Sequence, residues 1–251
     1  MLLQDLRRVR DRARPQGRPF VTLAYAQSVD GSIAIARGER CTLSGPDSLR
    51  FTHMLRNCHD AILVGVGTVL ADDPELSVRM IEGRNPQPVV VDSQLRTPLT
   101  AKLLGRSGLR PWIGTTVAET VDPTPLMAGD GRSERRAHME ARGCLLMDCP
   151  AEPNGWVDLT ALLRSLHAQG IAHVMVEGGA RIITSLLGAR LVDYAVVTIA
   201  PRFLGGLSAV GTLPRGDGSS SDTVGPRLGQ WVSARLGEDL VLSGEVLWPK
   251  A

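Results

Sequence analysis

The fold is decided by Val174-Met175-Val176-Glu177-Gly178-Gly179-Ala180-Arg181, which has the pattern of a buried strand, a glycine break and the start of a helix. Paired glycines let a ligand approach the backbone closely, and the free N–H groups of the following helix suit a phosphate. A tight packing turn would use the same residues, and the GxGxxG dinucleotide fingerprint is missing. The stretch therefore predicts an α/β protein and leaves two interpretations of the glycines open.

Similar strand and helix patterns continue on both sides of this stretch. Apolar runs predict strands at 20–26, 61–66, 88–92, 110–116, 144–147, 173–176 and 193–200. Helices are predicted with N-caps at Ser44 and Asp158, and a surface helix with loops is expected within 117–143. Residues 231–235 and 240–247 alternate like a terminal antiparallel pair. We therefore predict a mostly parallel sheet covered on both faces, with antiparallel C-terminal edge strands.

The domain organisation is predicted to be simple. Residues 1–18 are arginine-rich, with leucines at helical spacing, and predict an amphipathic helical extension on the surface. We find no repeat, linker or boundary in 19–251 and expect one domain there. Residues 205–225 are rich in Gly, Ser and Pro and predict a mobile loop, which could serve as a lid over a ligand.

Composition excludes several classes of protein. The formal net charge of +2 is too small for a general nucleic-acid binder, and no apolar run approaches the roughly 20 residues of a membrane span. The N-terminus does not have the pattern of a signal peptide, so a cytoplasmic location is expected. The four cysteines have no CxxC spacing, and we predict no metal site.

Two further segments follow predicted strands and carry polar side chains. Residues 65–79 provide the Thr68 hydroxyl, the Asp72 and Asp73 carboxylates and the Arg79 guanidinium, which suits a phosphate. A helix cap with a solvated acidic pair is the plainer interpretation of this segment. In 26–31, Asp30-Gly31 is by itself only a turn signal. Ligands of open α/β sheets bind at such carboxyl ends of strands.

In this order and spacing, the segments resemble the pyrimidine reductase family of riboflavin biosynthesis. The resemblance rests on SVDGSIA (28–34), LRNCHDAILVGVGTVLADDPELSVR (55–79), VVVDSQLRTP (89–98), VMVEGGARI (174–182) and LVDYAVVTIAPRFLGG (191–206). Many bacterial members carry a deaminase in front of the reductase. The His-x-Glu and Pro-Cys-x-x-Cys zinc motif of that deaminase is absent from this sequence.

The resemblance implies a dihydrofolate-reductase-like, three-layer α/β/α fold, a homodimer and NADPH as cofactor. It also implies a cis Gly178–Gly179 peptide, as in the related dihydrofolate reductases. Substrate-binding positions would be Arg40, Arg56, Leu76, Arg79 and Glu177. Cofactor-binding positions would be Ala26, Thr42, Thr68, Asp72, Ser93, Gly178, Gly179, Ala180, Arg181, Ile182, Ile183, Thr184 and Ser185.

Physical roles can be suggested for several of these residues. Arg56 and Arg79 can clamp a phosphate dianion through bidentate hydrogen bonds. Glu177 and Asp30 are the candidate catalytic proton relays, although Glu177 could instead be a carboxylate hydrogen-bonded to backbone at a strand end. Many bacterial members have Ser and Trp where this chain has Arg40 and Thr42, so Arg40 either contacts the substrate phosphate or is only exposed.

The resemblance leaves the substrate open. We prefer 5-amino-6-(5-phosphoribosylamino)uracil, whose ribosyl group would be reduced to the ribityl form. The alternative is the same reduction of 2,5-diamino-6-ribosylamino-pyrimidinone 5′-phosphate before deamination. An alternative of another class is a non-catalytic NADP(H)-binding regulatory protein. For the 2′-phosphate of NADPH, Arg181 and Arg96 are the candidates.

Overall fold

A computed structural model describes residues 1–12, 15–105, 108–117, 131–213 and 225–249. The strands are β1 (Phe20–Ser28), β2 (Ser32–Ala34), β3 (Ala61–Gly65), β4 (Gln87–Val91), β5 (Trp112–Thr116), β6 (Leu145–Cys149), β7 (His173–Val176), β8 (Tyr194–Ala200), β9 (Leu207–Ser208), β10 (Arg227–Leu236) and β11 (Asp239–Leu247). The α-helices are α1 (Leu2–Arg12), α2 (Pro46–Asn57), α3 (Val66–Asp72), α4 (Gly131–Ala141), α5 (Leu159–Ala168) and α6 (Ala180–Gly188). A short 3-10 helix covers Lys102–Leu104.

Nine strands form one sheet in the order β10-β11-β8-β1-β7-β3-β4-β5-β6. The seven strands from β8 to β6 run parallel to one another, whereas β11 and β10 are antiparallel. This confirms the predicted mostly parallel sheet and its antiparallel C-terminal edge. A separate two-stranded sheet joins β2 to β9.

The sheet is buried on both faces, because successive side chains of a strand point to opposite sides. Leu63 of β3 packs in a cluster with residues of α5 and α6. Its neighbour Ile62 packs in a second cluster with Met139 of α4. A third cluster combines residues of α1 and α2 with the β1 end of the sheet. These contacts give the predicted three-layer α/β/α arrangement.

Of the two predicted helix caps, one is confirmed and one is wrong. The Asp158 carboxylate accepts hydrogen bonds from the backbone N–H groups of Thr160 and Ala161 and caps α5. Ser44 does not cap α2, whose N-cap is Gly45 without a side-chain hydrogen bond. Pro46 occupies the first helical position, where a missing N–H costs nothing, so the helix begins one residue later than predicted.

The N-terminal helix is packed on the sheet through its leucines. Leu2 and Leu6 are buried in the cluster that contains residues of α2 and the sheet. The Tyr194 hydroxyl of β8 donates a 2.6 Å hydrogen bond to Asp5. The predicted helix therefore exists at Leu2–Arg12, and its apolar side covers part of the core.

Other predicted segments are described only in part. The surface helix predicted within 117–143 is α4, and 118–130 lie outside the described residues. Of the loop predicted at 205–225, residues 205–213 and 225 are described and 214–224 are not. Its described part contains β9, which pairs with β2. No helix in the described part of the chain has the length and apolar character needed to cross a membrane.

Parallel pairing brings four strand ends to one edge of the sheet. Strands β1, β7, β3 and β4 are neighbours in that order, and their carboxyl ends lead into the turn at Asp30, the Gly178–Gly179 break, helix α3 and the Ser93 loop. Segments that are far apart in the sequence therefore meet where open α/β sheets bind ligands.

Candidate functional site

A cavity of about 890 Å³ lies at this edge of the sheet. Its volume is in the range of pockets that hold a cofactor or a drug-sized ligand. Most of the predicted site residues line it: Ala26, Arg40, Thr42, Arg56, Thr68, Asp72, Leu76, Arg79, Ser93, Glu177, Gly178, Gly179, Ala180, Arg181 and Ile182. Asp30, Ile183, Thr184 and Ser185 are not among the lining residues.

The glycine pair forms an open cradle at the start of α6. Gly179 is the N-cap of this helix and, because it has no side chain, it makes no capping hydrogen bond. A β-carbon at Gly178 would lie 3.0 Å from the Ile182 side chain, so α6 packs closely against this glycine. At Gly179 a β-carbon would contact only Thr68 Oγ1 at 3.6 Å. The packing interpretation therefore applies to Gly178, whereas the ligand interpretation stays a prediction for Gly179, which has open space beside it.

The expected cis Gly178–Gly179 peptide is wrong, since the described residues contain no cis peptide bond. Gly179 is extended, with φ −76° and ψ 170°. This is the usual conformation of an N-cap residue, and it directs a trans chain from β7 into α6.

The second half of the predicted cofactor segment has other contacts. Ile183 is fully buried in the core cluster below α6. Thr184 Oγ1 donates to the Ala180 carbonyl at 2.7 Å and accepts from the Gly211 N–H at 2.8 Å. Its hydroxyl therefore fastens the loop after β9 to α6. Only residues 178–182 of the predicted segment face the cavity.

Glu177 forms a bidentate ion pair with Arg56 across the cavity wall. Arg56 Nε donates to Oε1 at 2.7 Å and Nη2 donates to Oε2 at 2.6 Å, while Nη1 donates to the Ser77 carbonyl. The two side chains are 11% and 20% exposed. Burial lowers the pKa of the Arg56 guanidinium, but the charge and hydrogen bonds of Glu177 outweigh it and leave the pKa raised. The alternative of a Glu177 carboxylate bonded only to backbone does not hold.

Arg79 lies in the same region, and its backbone is hydrogen-bonded to a buried histidine. Its backbone N–H donates to His53 Nδ1 at 3.1 Å, and its side chain lines the cavity. Within the described residues, no carboxylate lies within ion-pair distance of the Arg79 guanidinium. Arg56 is engaged by Glu177, so Arg79 is the freer of the two predicted phosphate ligands.

Acidification is expected to destabilise the protein through His53. Burial, assisted by the charges of Arg56 and Arg79, lowers the pKa of His53 to about 4 from its ordinary 6.5. Between these pH values the unfolded chain binds more protons, so the free energy of unfolding falls as the pH drops from 6.5 towards 4. Urea denaturation across this pH range should show a smaller decrease in His53→Asn, which keeps an acceptor for the Arg79 N–H but does not titrate. An equal decrease in both proteins would contradict the assignment.

Asp30 lies in the turn after β1, with both carboxylate oxygens engaged. The hydroxyls of Ser28 and Ser32 donate to it at 2.5 and 2.9 Å, and the N–H groups of Leu204 and Gly205 donate at 2.9 and 2.7 Å. The Ser28 hydrogen bond and then the two backbone bonds hold the pKa of this carboxyl well below its usual range. Asp30 therefore fastens the loop before β9 to the end of β1, and this arrangement gives no support to a proton relay.

The remaining predicted residues lie around the cavity. Burial raises the pKa of Asp72, while the positive charge of exposed Arg40 opposes the change. Thr42 is exposed on the same segment. Leu76 is buried with φ 52°, a backbone conformation that costs a leucine about 1 kcal/mol or more. Ser93 accepts a hydrogen bond from the Val157 N–H at 3.1 Å.

Sequence reasoning did not single out His53, Arg37 or Trp156. His53 lies behind the cavity wall, where it accepts the Arg79 N–H, and it precedes Arg56 by one helical turn, a spacing that was an available signal. Arg37 and Trp156 come from loops after β2 and β6, where no pattern in the sequence indicated a ligand.

Comparison with known proteins identifies the relatives of this chain. The family described as the RibD C-terminal domain matches residues 19–242. The 2,5-diamino-6-ribosylamino-4(3H)-pyrimidinone 5′-phosphate reductase of Methanothermobacter thermautotrophicus is 38% identical and covers 90% of this chain and 97% of its own length. The riboflavin biosynthesis protein RibD of Aquifex aeolicus is 31% identical over 90% of this chain, a match that spans 58% of the Aquifex protein. Among solved structures, a riboflavin biosynthesis reductase of Saccharomyces cerevisiae superposes with a TM-score of 0.67 at 27% identity, covering 97% of this chain and 100% of the yeast chain.

Proposed function

The chain belongs to the RibD C-terminal domain family, and from this premise we propose that it is an NADPH-dependent reductase of riboflavin biosynthesis that converts the ribosyl group of a phosphoribosylaminopyrimidine to a ribityl group. The single observation that carries the proposal is the Glu177–Arg56 pair, which lies in one cavity with Arg79 and the Gly178–Gly179 cradle. A regulatory protein that only binds nucleotide needs the glycine cradle but does not need the Glu177–Arg56 pair and Arg79 in the same cavity.

The residues around the glycine pair fit a nicotinamide dinucleotide. Gly179 leaves the N-terminus of α6 uncovered, and its N–H groups suit a pyrophosphate. The Thr68 hydroxyl lies close to Gly179 and offers a further hydrogen bond. Gly178 through Ile182, Thr68 and Ser93 would hold the cofactor, which supplies a hydride for C1′ of the substrate when bound.

Arg79 and Glu177 have different roles towards the substrate. Arg79, which has no carboxylate partner within the described residues, binds the 5′-phosphate. Arg56 occupies one hydrogen-bond site on each Glu177 oxygen, and a carboxylate has further acceptor sites for substrate N–H or O–H groups. The negative charge of Glu177 also favours the protonated imine of the opened ribosylamine, which is the form that accepts a hydride most readily.

Two substrates remain as candidates, and the names of the relatives divide between them. The M. thermautotrophicus relative is named for the diaminopyrimidinone, and it matches this chain over nearly its whole length. A solved Thermotoga maritima protein is 27% identical, and the match covers 56% of that protein. It is named for both a deaminase and a 5-amino-6-(5-phosphoribosylamino)uracil reductase. The comparison gives the diaminopyrimidinone more weight than the sequence alone did, so both compounds are offered in the test.

The test is turnover by the purified protein with NADPH and each ribosylamine phosphate in parallel. Loss of reduced nicotinamide absorbance should accompany a product two hydrogen atoms heavier than the substrate, identified by mass spectrometry. Turnover of one compound alone would assign the step as before or after deamination. No turnover of either compound, with NADPH still bound, would contradict the proposal.

We also propose that the protein is a homodimer in the cytoplasm, as the family resemblance implies. Sedimentation equilibrium at micromolar concentration should give the mass of two chains. A mass of one chain at all concentrations would contradict the dimer.

A further inference from the structure

The loop that follows β4 is held in an unusual backbone conformation. It covers residues 92–97, and its Ser93 lines the cavity. Leu95 is fully buried and has φ 53°, a left-handed conformation that a leucine keeps only where its surroundings enforce it. The buried Asp92 carboxylate accepts hydrogen bonds from the N–H and the hydroxyl of Thr97 at 2.7 and 2.8 Å. These two bonds close the loop, whereas its carbonyl groups take donors from elsewhere.

Two arginines of α4 supply those donors. Arg132 Nη1 donates to the Ser93 carbonyl at 2.9 Å. Arg135 Nε donates to the Leu95 carbonyl at 2.5 Å, and its Nη2 donates to the Thr97 carbonyl at 3.0 Å. Every second carbonyl group of the loop, at positions 93, 95 and 97, is therefore bound by a guanidinium group of the same helix.

Both arginines lie on the side of α4 that packs on the sheet. They are three positions apart, a spacing that places them on one side of a helix. Met139, a further turn along, is fully buried in the core cluster that also contains Leu95. Arg132 Nη2 donates in addition to the Thr116 carbonyl at the end of β5, at 2.5 Å. Its guanidinium group thus joins the Ser93 carbonyl to the neighbouring strand.

The donors of these two arginines are not used for ion pairs or for the cavity wall. Both side chains are half-buried, and within the described ranges neither has a carboxylate at ion-pair distance or lines the cavity. By contrast, Arg136 on the same helix pairs with Asp148 and Glu140. A half-buried guanidinium group loses water and must replace it with hydrogen bonds, and here the acceptors are loop carbonyl groups.

We propose that Arg132 and Arg135 are positioning residues for the cofactor, because they hold the 92–97 loop in the conformation in which Ser93 lines the cavity. The inference rests on the proposed function, which assigns Ser93 to the nicotinamide dinucleotide. Without the two guanidinium groups, the strained backbone at Leu95 loses the contacts that enforce it, and the loop relaxes to other conformations. The side chains that touch a ligand are most effective when a surrounding layer of hydrogen bonds fixes them.

A second cavity segment depends on the same loop. Ser93 Oγ accepts the Val157 N–H at 3.1 Å, and Val157 and the adjacent Trp156 line the cavity in front of α5. Within the described residues, the Arg56–Glu177 pair is hydrogen-bonded to Ser77 and not to this loop. Loosening the loop should therefore weaken cofactor binding and leave the groups on the substrate side in place.

Cofactor affinity tests the inference in the full-length protein. Arg132→Met and Arg135→Met should each weaken NADPH binding by about tenfold in isothermal titration calorimetry, since a displaced binding loop no longer matches the ligand. At saturating NADPH, kcat should stay within about twofold of the wild-type value, because the lost interaction is one of binding. A purely structural role would instead lower the fraction of folded protein, and so the binding stoichiometry, without changing Kd.

Arg142→Met is the matched control. Arg142 follows α4, and its Nη1 donates at 2.8 Å to the carbonyl of Leu99, which is outside the loop and does not line the cavity. Its removal should leave NADPH affinity unchanged. Arg132→Lys keeps a donor for the Ser93 carbonyl but not the fork that also reaches Thr116, so it should recover part of the affinity.

Amide hydrogen exchange measures the loop itself. In the ligand-free protein, a peptide covering 92–97 should exchange faster in Arg132→Met and Arg135→Met than in the wild-type protein, and at the wild-type rate in Arg142→Met. Unchanged exchange in this peptide, or unchanged NADPH affinity in both variants, would overturn the inference.

Failure of this inference is distinguishable from failure of the proposed function. NADPH binding that depends on the two arginines, in a protein that reduces neither pyrimidine, would refute only the reductase. Turnover of a pyrimidine by a protein whose cofactor affinity is the same in all variants would refute only the positioning role.

Discussion

Glu177→Ala is expected to lower the free energy of unfolding by about 3 kcal/mol and to reduce kcat/KM by about 100-fold or more. The stability loss follows because Arg56, whose side chain is 11% exposed, would keep its charge without a partner. The activity loss follows because the carboxylate that orients the substrate and favours its protonated imine is removed. Urea denaturation and steady-state kinetics measure the two effects separately.

Two controls separate the ion pair from the chemistry. Arg56→Met combined with Glu177→Leu removes both charges, so stability should largely recover while activity stays lost. Asp148→Ala breaks the bidentate pair between Asp148 and Arg136, whose side chains are 42% and 35% exposed, respectively. Because this pair is exposed, its loss should lower the free energy of unfolding by less than about 1 kcal/mol. An active double variant, or a fully stable Glu177→Ala protein, would contradict the assigned role.

Arg79→Ala is expected to raise the substrate KM by roughly 10- to 100-fold with little change in stability. The variant loses a charge-assisted interaction with the 5′-phosphate, and such an interaction contributes about 1.5–3 kcal/mol. Because the Arg79 side chain is exposed to the cavity and has no carboxylate partner within the described residues, its removal leaves no buried charge unpaired. Kinetics at saturating NADPH measure the change.

A dephosphorylated substrate identifies the group that Arg79 contacts. The wild-type protein should lose affinity when the phosphate is absent, and Arg79→Ala should be nearly indifferent to that change. Arg84→Ala is the matched control, since Arg84 lies in the same segment, is 75% exposed and pairs with Asp60. If both arginine variants raised KM equally, the effect would be one of general charge and not of a phosphate site.

The strand and helix pattern was predictable because it depends on the local periodicity of apolar residues and on the residue types at turns and caps. The runs at 61–66 and 173–176 became β3 and β7, and Asp158 caps α5 as expected. Where a local rule failed, a neighbouring residue decided the outcome. Ser44 resembles an N-cap, but Pro46 moves the start of α2 so that Gly45 takes that position.

The membership of the site was also largely predictable, whereas the roles within it were not. Glycine pairs and strand ends are local signals, and they led to residues that do line the cavity. Asp30 has the same local signals, yet its carboxylate is taken up by Leu204 and Gly205, more than 170 positions away in the sequence. Only the folded chain shows that these donors are present.

The sequence by itself determined the α/β class, the family, and the glycine pair and polar strand-end residues that line the cavity. Each of these depends on residue types in a fixed order along the chain. The tertiary structure alone decided which side chains meet. Arg56 and Glu177 are 121 positions apart and form a pair because α2 packs in the same core cluster as β7, the strand that Glu177 follows. Trp156 and Arg181 meet because the loop before α5 adjoins the start of α6. Such contacts depend on strand order and helix packing, and no short stretch of sequence encodes either one.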